Sequence, residues 1–313
     1  MINFKDSSIL IIMYHYVRPL KGSKYPNLKA LEISEFRKQL KWFKNKFDII
    51  NYDDLIDILK NRKISKKKKI ILSFDDGYKD HYEYVLPELK KNNISGFFYP
   101  PSKVVENEFV LDVNKIHFIL ERIQDRKKIL KDINLILEKN NFKNIYDMNI
   151  SLNILKTRYD DLETSLIKKL LQYILPKKLR LKIINNLLER YLNLSIKEFS
   201  KELYINSQDL KEMYDEGMHF GSHGEFHERW GLLSKNKQKK EMKNSIGFLK
   251  KIGLNKDRLS VCYPYGSYNK DTLNCVNDFN FNFGLTTNVG GVSNKHLKNK
   301  FELPRFNAND FIL

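Results

Sequence analysis

A chain of 313 residues with 42% hydrophobic and 12% aromatic residues can bury a substantial core, which excludes a disordered or fibrous protein. Its two cysteines, Cys262 and Cys275, are too few for a disulfide framework and lack metal-ligand spacing, so both read as ordinary buried thiols. The formal charge of +18 invites a nucleic-acid partner, but the lysines run along the whole chain together with abundant Asn and Ile, a compositional bias that gives no reason to expect one.

The opening residues 1–6 have no basic stretch, long apolar run or small-residue cleavage site. The apolar run 9–13 is too short to span a bilayer, and no stretch of about 18 apolar residues occurs anywhere. A cytoplasmic location is therefore expected, soluble or loosely held at a membrane surface. Residues 8–14 predict a strand ending in His15. A helix follows from Ser34, with Ser as its cap and Phe36, Leu40 and Phe43 at helical spacing. Residues 47–50 predict a short strand, and a helix opening at Tyr52 turns Leu55, Ile58 and Leu59 inward. The lysine run 66–69 reads as a solvated loop before a strand at 69–74. A helix at 82–92 and a strand at 96–99 complete this third of the chain. Strands alternating with helices imply parallel pairing.

From about 104 to 206 strand signals fade. Leu162, Leu166, Leu170 and Ile174 form one apolar stripe, Pro176 interrupts, and Leu179, Ile183, Leu187 and Tyr191 form the next. The expected organisation is an α/β barrel from residues 1–104 and 207–313, with 105–206 as a helical insertion or lid. Strands resume at 218–222, 259–263, 281–286 and 301–304, with a helix at 235–252. About seven strands suggest an incomplete or distorted barrel with its chemistry at the carboxyl ends of the strands.

The residues that carry chemistry lie there. Ser73-Phe74-Asp75-Asp76-Gly77 puts two carboxylates at one strand end, and Ser222-His223-Gly224-Glu225-Phe226-His227 puts two imidazoles just after another. Two His and one Asp suit Zn²⁺, Fe²⁺ or Co²⁺ with open positions left over. The other Asp would serve as a base toward an acidified water. Tyr263-Pro264-Tyr265-Gly266 is a rigid turn whose Tyr265 amide can face an oxyanion, since proline lacks an N–H. Arg305, after Leu303-Pro304, can pair with Asp75 and hold it ionised. His15 can protonate a leaving amine.

Phe74-Asp75-Asp76-Gly77, His223-Gly224-Glu225-Phe226-His227 and Tyr263-Pro264-Tyr265-Gly266, in this order and spacing, resemble the polysaccharide deacetylase family, carbohydrate esterase family 4 with the NodB homology domain. Met13-Tyr14-His15-Tyr16-Val17 resembles the branch with a Tyr-Pro-Tyr-Gly third motif. The resemblance spans roughly residues 8–100 and 215–307, with the helical segment outside it. It implies a distorted (β/α)7 barrel of the NodB type and hydrolysis of an N-acetyl group on a sugar. It makes Asp75 the catalytic base, makes Asp76, His223 and His227 the ligands of a divalent metal, usually Zn²⁺, and puts Tyr265 at the oxyanion position.

Several positions depart from the family pattern. Gly224 replaces the Ser or Thr that follows the first metal histidine, so a supporting hydrogen bond must come from elsewhere. The Arg that precedes the proline motif is absent, and Arg305 is expected to replace it. No Asp-Trp motif is visible near Phe283-Gly284, and no Leu-x-His motif precedes Leu313. The general acid therefore falls to His15, with His296 as rival and His81 and His117 as weaker candidates; His219 is placed on the strand before the ligands. With a cytoplasmic location expected, the substrate would be a nucleotide- or lipid-linked N-acetylated precursor of a surface glycan. A sugar deformylase, or a non-catalytic carbohydrate-binding member, are the alternatives.

Overall fold

A computed structural model of the chain describes residues 9–63, 67–106, 108–148, 150, 160–254 and 256–311. The expectations for residues 1–6, residue 8, Lys66 and Leu313 fall outside these. Seven parallel strands form one sheet: β1 (Ile9–Tyr14), β2 (Lys69–Asp75), β3 (Phe97–Tyr99), β4 (His219–Phe220), β5 (Ser260–Cys262), β6 (Phe283–Val289) and β7 (Leu303–Asn307). Their order is β4-β3-β2-β1-β7-β6-β5, with the short strand Asp48–Ile49 added beside the start of β2. The two ends of this order meet. Ser222, just past β4, bridges to β5: its N–H donates to the Ser260 carbonyl at 2.8 Å and its carbonyl accepts from the Cys262 N–H at 2.9 Å. That contact closes the sheet into a distorted (β/α)7 barrel.

Both faces of the barrel strands are covered, which is why they read as unbroken apolar runs rather than alternating ones. Alternation still decides where each side chain goes. Ile9 and Ile11 of β1 share the interior with Ile71, Phe97, Phe283, Leu285 and Leu303. The intervening residues face outward, where Tyr14, Phe74, Phe98 and Phe220 stack in sequence at centroid distances of 4.9, 4.8 and 5.5 Å. Phe36 of the helix Ile33–Lys46 meets Tyr14 edge-on at 5.3 Å. Counting by twos along β2 from Ile71 reaches Ser73 and then Asp75. The interior therefore turns from apolar to polar toward the carboxyl ends, and Asp75 stands opposite Tyr99 of β3.

Boundaries shift by one to three residues: the strand expected at 281–286 runs Phe283–Val289. The first helix is capped by Glu32, whose carboxylate accepts from the Ile33 N–H at 3.1 Å, rather than by Ser34. The helix Tyr52–Asn61 opens on a reciprocal capping box between Asn51 and Asp54. The last strand begins at Leu303 rather than 301.

Two compact units divide the chain: residues 9–19, 30–109 and 200–311 of the described chain, and residues 20–29 with 110–199. The second is helical. Its helices Asp112–Arg122, Arg126–Glu138, Leu162–Lys169 and Lys177–Leu192 bury Ile116, Ile119, Ile129, Ile133, Ile167, Ile183 and Leu187. Asp132 is tied to Arg190 Nη1 at 2.8 Å and to the Tyr191 hydroxyl. The expected stripe at 162, 166, 170 and 174 is corrected: Leu162 is 57% exposed, and Thr164, Ile167 and Leu170 form the buried face. A strict four-residue step drifts around a helix of about 3.6 residues per turn, so such a stripe cannot stay on one face.

Candidate metal centre

Asp75 is the last residue of β2 and Asp76 the first beyond it. Asp76 takes a left-handed conformation, φ 71°, so the adjacent carboxylates part: Asp75 stays on the inward face while Asp76 turns across the rim. The Asp76 N–H donates to the Tyr99 carbonyl at 3.1 Å, which fixes the turn. Gly77 completes it at φ +70°, where a Cβ would lie 2.7 Å from Pro100 Cβ; only glycine fits.

Asp76 meets both imidazoles. Its Oδ1 lies 3.5 Å from His223 Nε2 and 3.4 Å from His227 Nε2, and all three residues are buried. Its Oδ2 accepts from the Tyr78 hydroxyl at 2.6 Å, which aims Oδ1 at the histidines. His223 Nδ1 donates to the Cys262 carbonyl at 2.7 Å, which turns its Nε2 toward Asp76. Such a second bond on the far ring nitrogen is the usual support of a ligating histidine. Burial pushes the His227 imidazole down to about 3 against the pull of Asp76, so this ring is neutral and able to donate a lone pair. Burial alone would raise the Asp76 carboxyl, but the neighbouring imidazoles hold it well below the ordinary range.

The donors fit a divalent ion. Asp76 Oδ1 is buried without a hydrogen-bond partner among the described residues, a costly state for a carboxylate oxygen unless a cation takes the lone pair. The three donor atoms lie within 4.8 Å of one another. Two nitrogens and one oxygen form a borderline-hard set that suits zinc and its neighbours, with positions left open.

Asp75 is differently placed. Arg305 of β7 approaches it as a fork, Nη1 to Oδ1 at 2.8 Å and Nη2 to Oδ2 at 2.8 Å. The guanidinium, 1% exposed, also donates to the Thr286 carbonyl at 2.9 Å and to Ser73 Oγ at 3.2 Å. Burial pushes the Asp75 carboxyl up, but Arg305 more than offsets this and holds it at about 2. The charge of Asp75 is therefore fixed at ordinary pH.

His15 follows β1, and its carbonyl accepts from His81 Nε2 at 2.9 Å. Its ring is close enough to lower both Asp75 and Asp76 electrostatically. Tyr265 lies in a turn at φ 58°, ψ 14°; its ring centroid is 4.4 Å from that of His227 and 3.9 Å from the Arg229 guanidinium. All seven residues singled out in the sequence thus gather at the carboxyl ends of the strands. The remaining histidines are employed elsewhere. His296 caps its own short helix through Ser293, His219 is buried against Ser260 Oγ at 2.7 Å, and His81 braces the His15 backbone. His117 belongs to the helical unit.

Sequence reasoning missed two residues here. Tyr78, which aims Asp76, follows the Asp-Asp-Gly run directly and was legible from its position. Cys262 is not an ordinary thiol: its Sγ lies 3.1 Å from Arg305 Nη2 and 3.5 Å from Asp75 Oδ2, and burial pushes it up, keeping it protonated. Nothing in its spacing marks it.

A model of the polysaccharide deacetylase family matches residues 62–144 and 158–284, so the chain belongs to that family. The match extends through most of the helical segment, and it leaves out His15 and Arg305. No curated protein matches the sequence. Among solved structures, the chain is similar to a Streptococcus pyogenes deacetylase, PplD, in complex with acetate, at TM-score 0.61 and 19% identity over 97% of this chain and 93% of that one. It is also similar to IcaB from Ammonifex degensii, at TM-score 0.58 and 15% identity over 96% and 92%. A de-N-acetylase from Aggregatibacter actinomycetemcomitans follows, at TM-score 0.54 and 14% identity over 95% and 94%. At these identities the likeness is one of fold.

Proposed function

We propose that the chain is a metal-dependent hydrolase that removes the N-acetyl group from a sugar, in the branch of the family with a Tyr-Pro-Tyr-Gly third motif. The observation that carries the reading is Asp76 Oδ1, a buried carboxylate oxygen without a hydrogen-bond partner among the described residues, facing two histidine nitrogens. Family membership supplies the reaction class.

Asp76, His223 and His227 hold the ion, most suitably Zn²⁺. When bound there, a divalent ion supplies Lewis acidity toward a carbonyl oxygen and toward water. Asp75 accepts the proton of the attacking water. A carboxyl held at about 2 is a weak base, always ionised but effective only toward an acidified water. Arg305 keeps it ionised and oriented. The Tyr265 amide donates to the oxygen that gains charge, and His15 delivers a proton to the departing nitrogen. The amide C–N bond is broken, water's oxygen ends in acetate, and the sugar leaves as a free amine.

We place this reaction in the cytoplasm, on an N-acetylated sugar carried by a nucleotide or a lipid phosphate. The net charge of +18 suits a phosphate-bearing carrier and loose contact with an anionic membrane surface. The test is release of acetate or formate from free, nucleotide-linked and lipid-linked N-acyl sugars, with Zn²⁺, Co²⁺ or Mn²⁺ supplied and Asp75→Asn as control. Acetate from a carrier-linked sugar, absent in the variant, is expected. Formate alone would make the protein a deformylase, and turnover of long neutral polymers only would remove the precursor reading. Glycan binding unaffected by a chelator, without release from any substrate, would mean a non-catalytic binding protein.

A further inference from the structure

The two histidine ligands are supported unequally. His223 has its Nδ1 tied to a backbone carbonyl, whereas His227 Nδ1 is buried with no hydrogen-bond partner among the described residues. His227 also has a left-handed backbone, φ 57°, a strained state for a non-glycine residue that its surroundings must impose. With no bond on the far ring nitrogen, the position of His227 Nε2 is set by the backbone that leads to it and by ring contact with Tyr265 at 4.4 Å.

Two side chains accept from that backbone: Ser222 Oγ takes the Gly224 N–H at 3.3 Å, and Glu241 takes the next two. Glu241, on the helix Lys235–Lys251 and 6% exposed, accepts from the Glu225 N–H at 3.0 Å and the Phe226 N–H at 3.1 Å through the same Oε2. Both donors lie between the two ligands. On the other side, the Gly224 and Glu225 carbonyls accept from the Ser102 and Lys103 amides at 3.0 Å each, contacts made by backbone alone. Asn244, one turn along from Glu241, donates to Glu225 Oε2 at 2.7 Å and ties the same turn to the same helix.

Gly224 makes the approach possible. It sits at φ +76°, and a Cβ there would lie 2.9 Å from Glu241 Oε2 and 3.2 Å from Trp230 Cζ2. The family's Ser or Thr at this position would collide with the carboxylate. The bare Gly224 thus leaves the space that the buried Glu241 carboxylate occupies.

We propose that Glu241 is the positioning residue of the metal site: its carboxylate binds the turn between His223 and His227 and so places His227 Nε2. This rests on the metal reading above. Glu241 touches neither ion nor substrate. It acts through two amide hydrogen bonds that are charge-assisted and therefore strong.

The test is titration of the metal-free protein with Co²⁺, followed by visible absorption, which reports both affinity and ligand geometry. The wild type is expected to take up one Co²⁺ per chain. Glu241→Ala should weaken binding about 10- to 100-fold, the range for losing an outer-shell partner, and should alter the absorption band. Glu241→Gln, which keeps an acceptor oxygen, should recover most of the affinity and the original band. A purely structural role would instead lower the melting temperature of all variants without changing the spectrum. Wild-type affinity and spectrum in a folded Glu241→Ala would overturn the proposal. Should that variant not fold, Glu241→Asp, whose carboxylate stands one methylene further back, takes its place with the same criterion. A wild type that takes up no Co²⁺ would refute the metal site itself, an outcome distinct from failure of the Glu241 proposal.

Discussion

The two carboxylates of the site are held by opposite rules. On the Asp75 side both carboxylate oxygens are taken by one guanidinium, itself satisfied by Thr286 and Ser73. On the Asp76 side one oxygen is held by Tyr78 and the other has no hydrogen-bond partner among the described residues. Adjacent residues of one sequence motif thus receive different chemistry from a single turn of the backbone at Asp76. A saturated carboxylate is a fixed charge, and an unsaturated one has a lone pair left for a cation. The proposed roles of base and ligand rest on this contrast, and it can be broken from either side.

The largest effect is expected on the ligand side. Asp76→Asn should weaken Zn²⁺ binding by more than about 100-fold, beyond the cost of an outer-shell partner, and abolish acetate release. Equilibrium dialysis against a competing chelator measures the first directly. Asp75→Asn should do the reverse, retaining the ion while turnover falls by about 10²- to 10⁴-fold, the usual worth of a positioned base. If both variants lost metal equally, the division of labour would be wrong.

Arg305→Met sharpens the saturated side. It strands a buried carboxylate and should cost about 3–5 kcal/mol in urea unfolding of the metal-free protein. The pH dependence has a definite sign. In the wild type the folded Asp75 carboxyl, at about 2, lies below its unfolded value near 3.9, so its contribution is present above about pH 4 and fades as pH falls through 2. Without Arg305 burial raises the folded value above the unfolded one, and the contribution is lost as pH rises. The stability gap between the two proteins should therefore widen from pH 3 to pH 6; a gap independent of pH would contradict the pairing. Tyr78→Phe is the mildest change, releasing Asp76 Oδ2 and weakening Zn²⁺ binding about 10-fold, with turnover at saturating metal nearly intact.

Much of this was legible in the sequence because the site lies at strand ends. The runs 70–72 and 259–262 mark the strands, and alternation then dictates that Asp75 shares the inward face with Ile71. The motifs that follow each strand had to meet at one rim once the barrel closed. What could not be read was set by contacts between distant positions. Cys262 reads as any buried thiol until Arg305, 43 residues away, reaches it. Glu241 sits in a lysine-rich helix with nothing to distinguish it; only the bare Gly224 hinted that support came from elsewhere. The stripe at Leu162 misled because a strict four-residue step drifts around the helix and leaves the buried face.

The most direct test of the central claim is to measure bound metal and acetate release together on Asp75→Asn and Asp76→Asn. The account predicts that Asp75→Asn holds one Zn²⁺ per chain and releases acetate about 10²- to 10⁴-fold more slowly, while Asp76→Asn is inactive because it holds none. Wild-type acetate release by Asp76→Asn, or by wild type stripped of metal, would contradict it.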